Sequence, residues 1–305
     1  MASCPRLNHD PARSHRHEQR LPHGTHAMTT RPKLAHQQLG SGPDVVLVHG
    51  LAANRAFWYP LATALSSQYR VTIYDLRGHG YSERPTSGYT ATDQGQDLLQ
   101  LMDDLGLEEA AVIGHSYGGA AALEAVLLQP QRFSHLALMD TRIQRLQSEL
   151  RLHDVGQLTA FEQAVAHQDG GDWASEPEVG FRFLEAAARN RVAGIELEAG
   201  GEFVPFGEGR GALRAAKQWL GLLEDTSLRQ DFRVPGGEAE AYASIRQPTL
   251  LMYPSHSRSG ATASRLQALL PNARLVNLPQ SGHFFPVTHP AQVRAEVEAL
   301  LRSSQ

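Results

Sequence analysis

The stretch Val112-Ile-Gly-His-Ser-Tyr-Gly-Gly-Ala120 joins an apolar, strand-like run to an alanine-rich, helix-like run. At its centre stand Gly114, Ser116 and Gly118, in the spacing Gly-x-Ser-x-Gly. A sharp turn between a strand and a helix strains the backbone of its central residue, and the flanking glycines remove Cβ atoms that would clash. In a chain with 27 glycines the pentapeptide alone is a weak signal, and its strand–turn–helix context is what makes it strong. We therefore predict that Ser116 is an exposed nucleophile above the end of a strand.

Strand-like and helix-like segments alternate on both sides of this turn. Strands are predicted at 44–48, 69–74, 110–113, 134–139, 249–253 and 274–278. Helices are predicted at 57–67, 92–105, 119–128 and 290–302. The strands are almost continuously apolar, which is typical of a parallel sheet covered by helices on both faces. We therefore predict an α/β fold with its ligand site at the carboxyl ends of the strands.

Residues 142–244 interrupt this alternation. They contain helix patterns at 158–167, 179–191 and 211–223 and a glycine-rich loop at 199–211, but no strand pattern. A helical insertion between two strands of one sheet indicates a cap laid over the strand ends. The predicted domains are therefore an α/β core of residues 28–141 and 245–305 and a helical cap of residues 142–244.

The first 27 residues differ from the rest of the chain. They hold five histidines and four arginines with few apolar residues, and they lack the apolar segment of a secretory signal. A metal-binding tract is one interpretation of so many histidines. We favour a disordered leader, residues 1–27, with Met28 as the start of the folded chain.

The composition of the chain argues against several classes of binding partner. The chain has 305 residues and a formal net charge of −4, so it offers no basic surface for nucleic acid or anionic lipid. No apolar run approaches the ~18–20 residues that span a bilayer. Cys4 is the single cysteine, which excludes an internal disulfide and fits a reducing, cytoplasmic compartment. We expect a small-molecule substrate, no nucleic acid and no membrane span, and the sequence does not indicate an oligomeric state.

Two further segments fit a serine nucleophile. Val48-His-Gly-Leu51 follows the first apolar strand, and a tetrahedral oxyanion needs two backbone donors, for which the N–H groups of Leu51 and Tyr117 are candidates. His283 follows the last strand, late in the chain, where a histidine can reach back to the serine as general base. The chain holds 15 histidines, and this position distinguishes His283 from the others. We interpret His115, beside the predicted nucleophile, as a packed neighbour rather than a second base.

With these segments in this order, the chain resembles the α/β-hydrolase fold family, and within it the capped branch that includes esterases, thioesterases and lactonases. The resemblance covers residues 34–301 and rests on four motifs. They are Val45-Val-Leu-Val-His-Gly50, Asp75-Leu-Arg-Gly-His-Gly-Tyr-Ser82, Gly114-His-Ser-Tyr-Gly-Gly119 and Gly282-His-Phe284. The resemblance implies a catalytic Ser116 and His283 without metal or cofactor. It gives the Asp75 motif a structural role, bracing the loops near the serine.

The resemblance also implies a third residue, an acid that orients the histidine, on the loop after strand 249–253. At that place, near Ser257, the segment Pro254-Ser-His-Ser-Arg258 has no Asp or Glu. Three interpretations are open. The one we favour is Asp140, at the end of strand 134–139, where some members of the fold carry the acid. The others are an acid from the cap or its return, for which the candidates are Glu202, Glu208 and Glu238, and a Ser–His dyad or an inactive site.

These observations predict a serine hydrolase with Ser116, His283 and Asp140 as catalytic residues and Leu51 and Tyr117 as oxyanion donors. We expect an ester or thioester of a small to medium, apolar acyl group as substrate, because the cap carries aromatic side chains that could line a pocket, although most cap aromatics are expected to pack in the cap's own core. Those residues are Trp173, Phe181, Phe183, Phe203, Phe206 and Trp219. The alternative, favoured by the loop that lacks the acid, is a non-hydrolytic protein of this fold. Such a protein would bind a small molecule, or use His283 as the base of an elimination or rearrangement.

Overall fold

The computed structural model describes residues 1, 31–155, 158–197, 204–206, 209–255 and 257–303. The strands in these ranges are β1 (His36–Leu39), β2 (Asp44–Val48), β3 (Arg70–Tyr74), β4 (Ala110–His115), β5 (Phe133–Met139), β6 (Thr249–Pro254) and β7 (Ala273–Leu278). They form one sheet in the order β1-β3-β2-β4-β5-β6-β7. β1 runs antiparallel to β3, and all the other neighbouring strands are parallel. Apart from Met1, the predicted leader of residues 1–27 lies outside the described residues.

Helices cover the sheet and fill the segment between β5 and β6. The α-helices are α1 (Tyr59–Leu65), α2 (Ala91–Asp104), α3 (Tyr117–Leu128), α4 (Ala160–Asp169), α5 (Val179–Ala193), α6 (Gly209–Asp225), α7 (Leu228–Asp231), α8 (Gly260–Leu269), α9 (Phe285–Thr288) and α10 (Pro290–Leu301). Short 3-10 helices lie at Arg55–Trp58, Pro130–Arg132, Leu152–Val155 and Ala239–Ser244.

The strands between the two edges of the sheet are largely apolar because the sheet is buried on both faces there. Successive side chains of a strand point to opposite faces. In β2, Val46 and Val48 pack in the core cluster that contains residues of α2 and α3. Val45 and Leu47 pack in the cluster that contains residues of α1 and α10. The predicted α/β fold, a mostly parallel sheet covered by helices on both faces, is therefore confirmed.

β1 is a strand that the apolar pattern did not predict. Its sequence is His-Gln-Gln-Leu, and its side chains are largely exposed. It lies at the edge of the sheet and pairs with β3 alone among the described strands. Edge strands with polar side chains carry no hydrophobic signal, which explains why the pattern missed it. The helices α7, α8 and α9 are likewise absent from the sequence prediction.

The segment between β5 and β6 carries α4 to α7, and its described part contains no strand beyond an isolated bridge between Leu150 and Glu178. The helix patterns at 158–167, 179–191 and 211–223 correspond to α4, α5 and α6, with ends that agree within two residues. One apolar cluster, which contains Phe161 and Trp173, lies within this segment. A second cluster also contains Tyr89 and therefore joins the segment to the loop before α2.

Candidate active site

Ser116 lies on the turn between β4 and α3, with backbone angles φ 53° and ψ −125°. Such a conformation costs a non-glycine residue about 1–3 kcal/mol, so the surrounding structure must impose it. A Cβ at Gly114 would lie 2.5 Å from the carbonyl oxygen of Gly118, and a Cβ at Gly118 would overlap the carbonyl oxygen of His49. Both glycines are therefore required by the close approach of the backbone. The Ser116 N–H is bonded to the carbonyl of Met139 at 2.9 Å, which ties the turn to β5.

The two predicted oxyanion donors lie beside Ser116. Tyr117 is the first residue of α3, where helix geometry supplies no acceptor for the backbone N–H and the helix dipole is positive. The chain before Leu51 passes directly against the serine, because a Cβ at Gly50 would lie 2.9 Å from the Cβ of Ser116. Leu51, Tyr117 and Ser116 line the same cavity.

His49 holds the loop that carries Leu51. Its Nδ1–H donates to the carbonyl of Gly50 at 2.7 Å, and its Nε2 accepts the N–H of Leu76 at 3.0 Å. Burial, with the neighbouring His79, lowers the pKa of His49 to about 3. The imidazole is therefore neutral, with both nitrogens occupied, and its contacts are structural.

Asp75 braces the same region. Its carboxylate accepts hydrogen bonds from the N–H groups of Arg55 at 2.7 Å and Tyr81 at 2.9 Å, and it forms an ion pair with the Arg55 guanidinium. From the same motif, Nε2 of His79 accepts the N–H of Ala52 at 3.2 Å. These bonds fix the loop that follows Leu51.

Asp140 and His283 meet at the carboxyl edge of the sheet. Nδ1 of His283 lies 2.7 Å from Oδ2 of Asp140. The Asp140 side chain is 4% exposed and the His283 side chain is 40% exposed. Asp140 is held by a bond from its N–H to the carbonyl of Met252 at 2.9 Å. Because a carboxylate can only accept, Nδ1 carries the proton and Nε2 is left as the basic nitrogen.

Ser257, near the expected place of the acid, is also bonded to Asp140. Its Oγ donates to Oδ1 of Asp140, and it accepts the N–H of Ser259 at 2.9 Å. Among the other candidate acids, Glu238 forms an ion pair with Arg145 at 2.9 Å and its side chain is 71% exposed. The remaining candidates, Glu202 and Glu208, lie outside the described residues.

His115 makes a contact that the sequence does not reveal. Its Nε2–H donates to the backbone carbonyl of His283 at 2.8 Å, and its ring stacks on Phe57 with centroids 4.8 Å apart. Burial, with His283 next in effect, lowers the pKa of His115 to about 3. A neutral His115 therefore supports the loop of His283 and is unsuited to act as a second base.

These residues open into one cavity of about 1040 Å³. Ser116, Asp140, His283, Leu51 and Tyr117 all line it. Its apolar lining includes Ile143, Leu150, Leu158, Phe161, Phe181 and Phe183. Of the aromatic residues predicted to line a pocket, Phe181 and Phe183 do so.

The other predicted pocket aromatics have different places. Trp173 and Trp219 are buried in the two apolar clusters of the segment between β5 and β6, and Phe206 packs against both clusters. Phe203 lies outside the described residues. Aromatic composition alone does not separate a side chain that packs from one that faces a ligand, and Phe161 and Phe232, which also line the cavity, were not among the predicted residues.

Two general features concern metals and membranes. In the described part of the chain, no group of three or more His, Cys, Asp or Glu side chains could hold a metal ion. Among the described helices, none combines the length and the apolar content needed to cross a bilayer.

Residues 43–290 match the family described as alpha/beta hydrolase fold. RutD of Caulobacter sp. (strain K31), by name a carbamate hydrolase, is 31% identical over 83% of this chain and 88% of its own. The 2-(acetamidomethylene)succinate hydrolase of Mesorhizobium japonicum is 27% identical over 81% of this chain and 84% of its own. The solved structure of carboxylesterase CesB (YbfK) of Bacillus subtilis superposes with a TM-score of 0.65 at 20% identity, covering 91% of this chain and 90% of that one. The chain therefore belongs to the alpha/beta hydrolase fold family.

Proposed function

We propose that the protein is a serine hydrolase that cleaves an ester or thioester of an apolar acyl group through an acyl-enzyme. The observation that carries this proposal is the 2.7 Å bond between His283 and Asp140, at the strand edge where Ser116 stands in its strained turn. Membership of the alpha/beta hydrolase fold family and the hydrolase names of two relatives support the class of reaction.

In the first half-reaction, Ser116 Oγ attacks the acyl carbon of the substrate while Nε2 of His283 takes its proton. The N–H groups of Leu51 and Tyr117 bind the oxygen that becomes negatively charged. Asp140 stabilises the imidazolium that forms and keeps Nδ1 protonated, so that Nε2 faces the serine. His283 then gives its proton to the leaving alcohol or thiol, and the acyl group stays on Ser116.

In the second half-reaction, water replaces the leaving group. His283 takes a proton from the water, whose oxygen attacks the acyl-enzyme, and the same two N–H groups bind the second oxyanion. Collapse of this intermediate breaks the bond to Ser116 Oγ, which recovers its proton from His283. The products are a carboxylic acid and the free enzyme.

The cavity supports the proposed class of substrate. A volume of about 1040 Å³ with a largely apolar lining suits a medium to bulky acyl group. Part of that lining, including Phe161, Phe181 and Phe183, comes from the segment between β5 and β6. We therefore propose that residues 142–244 act as a cap over the strand ends.

A fluorophosphonate probe tests the activated serine. We expect labelling of the wild-type protein at Ser116 and none of Ser116→Ala or of protein that has been unfolded before labelling. The absence of labelling in folded wild-type protein that still binds an apolar ester would contradict the hydrolase proposal. It would favour the alternative, a binding protein or a lyase-type enzyme that uses His283 as base.

A substrate panel then determines which type of bond the protein cleaves fastest. Esters, thioesters, lactones, carbamates and amides with one shared acyl group should be compared by kcat/KM. Carbamates and amides belong in the panel because one relative is a carbamate hydrolase by name and another is named for an acetamidomethylene substrate. We expect esters or thioesters to be fastest. A carbamate or amide that exceeds both by tenfold would overturn the ester assignment while leaving the serine mechanism intact.

A further inference from the structure

Arg142 is a feature of the cavity that the proposed reaction does not use. It follows Asp140 by two residues, lines the cavity, and has a side chain that is 9% exposed. Nη2 of Arg142 donates to Oε2 of Glu178, but Nη1 is buried without a hydrogen-bond partner among the described residues. Removing a guanidinium from water is costly unless all its donors are satisfied, so a buried unpaired donor of this kind needs a functional or structural reason.

Arg142 and Glu178 form a buried ion pair with further charged groups close by. Burial lowers the pKa of Arg142 and raises that of Glu178, and Arg233 lies close enough to influence both groups. The neighbouring Arg182 has its own partner, since it is paired with Asp169 at 2.9 Å. Among the described residues Arg233 forms no ion pair, and its field reaches the carboxylates of both Glu178 and Glu149. Glu176 also acts on Glu178, so what Arg142 lacks is a hydrogen-bond acceptor for Nη1 rather than a neighbouring negative charge.

The guanidinium of Arg142 is also held in place. Its centre lies 5.4 Å from the centroid of the Phe232 ring, and Glu178, the N-cap residue of α5, binds its Nη2. Phe232 and Glu178 line both the catalytic cavity and a second cavity, which Arg233 lines. The positive charge of Arg233 therefore acts on Arg142 across the residues Phe232 and Glu178, which separate the two cavities. A fixed, planar guanidinium of this kind matches the geometry of a carboxylate.

The other charged side chains of the lining have hydrogen-bond partners, including Asp154, which accepts the N–H of Arg151 at 3.0 Å. Arg258, the second guanidinium that lines it, is paired with Glu162. The carboxylate of Glu124 accepts hydrogen bonds from Thr92 Oγ1 and the N–H of Gly237, both at 2.8 Å. Arg142 is thus the place in the described lining where an anion would give an unpaired cationic donor its acceptor.

We propose that Arg142 binds a free carboxylate of the substrate, so that the substrate is an apolar ester or thioester whose far end carries a carboxylate. This inference rests on the proposed hydrolase function and names the substrate class of the same site. The carboxylate accepts from Nη1 of Arg142 while the ester carbon reaches Ser116. Glu178 is a competitor for the same guanidinium and therefore limits the affinity.

The test compares p-nitrophenyl esters of adipate, pimelate and suberate that end in a carboxylate with the same esters ending in a neutral carboxamide. The measured quantity is the ratio of kcat/KM for each pair, corrected for uncatalysed hydrolysis. One hydrogen bond between charged groups should favour the carboxylate ester over the carboxamide ester by about 10- to 100-fold in kcat/KM at the best chain length. In Arg142→Gln the ratio should fall to near one, chiefly through a higher KM of the carboxylate ester.

Three further variants test whether the carboxylate preference depends on Arg142. Arg258→Gln, which removes the other guanidinium of the cavity, should keep the carboxylate preference. Glu178→Gln removes the competing carboxylate and should increase the preference. If Arg142→Gln alone fails to fold because Glu178 loses its partner, the double variant Arg142→Gln/Glu178→Gln removes both buried charges and should lose the preference in a folded protein.

A wild-type ratio near one at every chain length overturns the inference, as does a preference that survives Arg142→Gln or is lost instead in Arg258→Gln. In those cases turnover of the neutral esters leaves the proposed function standing. If no ester is turned over, calorimetry of suberate binding to the wild-type protein and to Arg142→Gln decides the question. Binding that is at least tenfold weaker in the variant supports the carboxylate subsite, and equal or absent binding overturns it.

Discussion

Ser257 Oγ donates a hydrogen bond to Oδ1 of Asp140, whose Oδ2 lies 2.7 Å from Nδ1 of His283. Ser257 follows β6, the strand after which the family resemblance implies an acid, whereas Asp140 follows β5. β5 and β6 are parallel neighbours, so their following loops meet above the same edge of the sheet. A carboxylate on either loop is within reach of the same histidine, and here the other loop supplies a hydroxyl that binds the carboxylate.

Asp140→Asn tests the acid directly. An amide keeps the shape of the side chain but no longer stabilises the imidazolium of His283, so kcat should fall by about 10⁴. The measurement is steady-state hydrolysis of a chromogenic ester. Glu238→Gln is the control, because Glu238 is exposed and paired with Arg145, and it should retain full activity. A loss smaller than tenfold in Asp140→Asn would contradict the assignment.

Ser257→Ala removes one hydrogen bond from the carboxylate of Asp140 and leaves the bond to His283. We expect kcat to fall by about three- to tenfold, consistent with the loss of a bond to a charged group that keeps its other contacts. Ser257→Asp should be worse, because two adjacent carboxylates resist joint ionisation. If Ser257→Asp restored activity to the Asp140→Asn protein, the loop after β6 would be able to place a catalytic acid within reach of His283.

The parts of this site differ in how far the sequence reveals them. The turn at Ser116 is local, and its glycines and flanking elements are visible within nine residues. The bond between Asp140 and His283 joins residues 143 positions apart, and the strand order that brings them together follows from no local pattern. The sequence therefore supplied Asp140 as a candidate but not its distance from the histidine.

The same reasoning explains what the sequence did not reveal. The bond from His115 to the carbonyl of His283 joins residues 168 positions apart and uses a backbone acceptor, which no side-chain motif encodes. β1 lacks an apolar signal because it is a polar edge strand. The unpaired Nη1 of Arg142 depends on which side chains surround it after folding.

His115 is expected to act as a positioning residue for His283. His115→Phe removes the donor to the carbonyl of His283 while keeping a ring against Phe57, so kcat should fall by about tenfold with little change in KM. His115→Gln keeps an N–H donor at the same distance along the side chain and should recover most of the rate. Equal losses in both variants would mean that packing, rather than the hydrogen bond, is what His115 supplies.

Gly118→Ala tests the close approach of backbone at the serine turn. A Cβ there would overlap the carbonyl oxygen of His49, and overpacking of this kind destabilises a protein by about 1–3 kcal/mol. Urea unfolding measures the change. Gly211→Ala in α6 is the matched control, because a Cβ there meets no atom of the described residues within 4 Å. Since alanine favours helices, that variant should be unchanged or more stable by up to about 1 kcal/mol. A Gly118→Ala protein as stable as Gly211→Ala would contradict the crowding argument.

The buried residues His49 and His115 make the free energy of unfolding depend on pH. Burial lowers the pKa of each from 6.5 to about 3 in the folded state. Between these values the two side chains bind more protons in the unfolded chain than in the folded protein. Their contribution to the free energy of unfolding therefore rises with pH from about 3 to 6.5 and is then constant. Each histidine contributes a slope of about 1.4 kcal/mol per pH unit within that window.

Urea unfolding of the wild-type protein and of His115→Gln at pH 5 and pH 7 measures this contribution. The wild-type protein should lose more stability between pH 7 and pH 5 than the variant, because glutamine does not titrate. His153→Gln is the control, since the His153 side chain is 73% exposed, and its loss should equal that of the wild-type protein. If His115→Gln and the wild-type protein lost the same amount, His115 would not be held neutral by burial, and its role as a neutral donor to His283 would have to be abandoned.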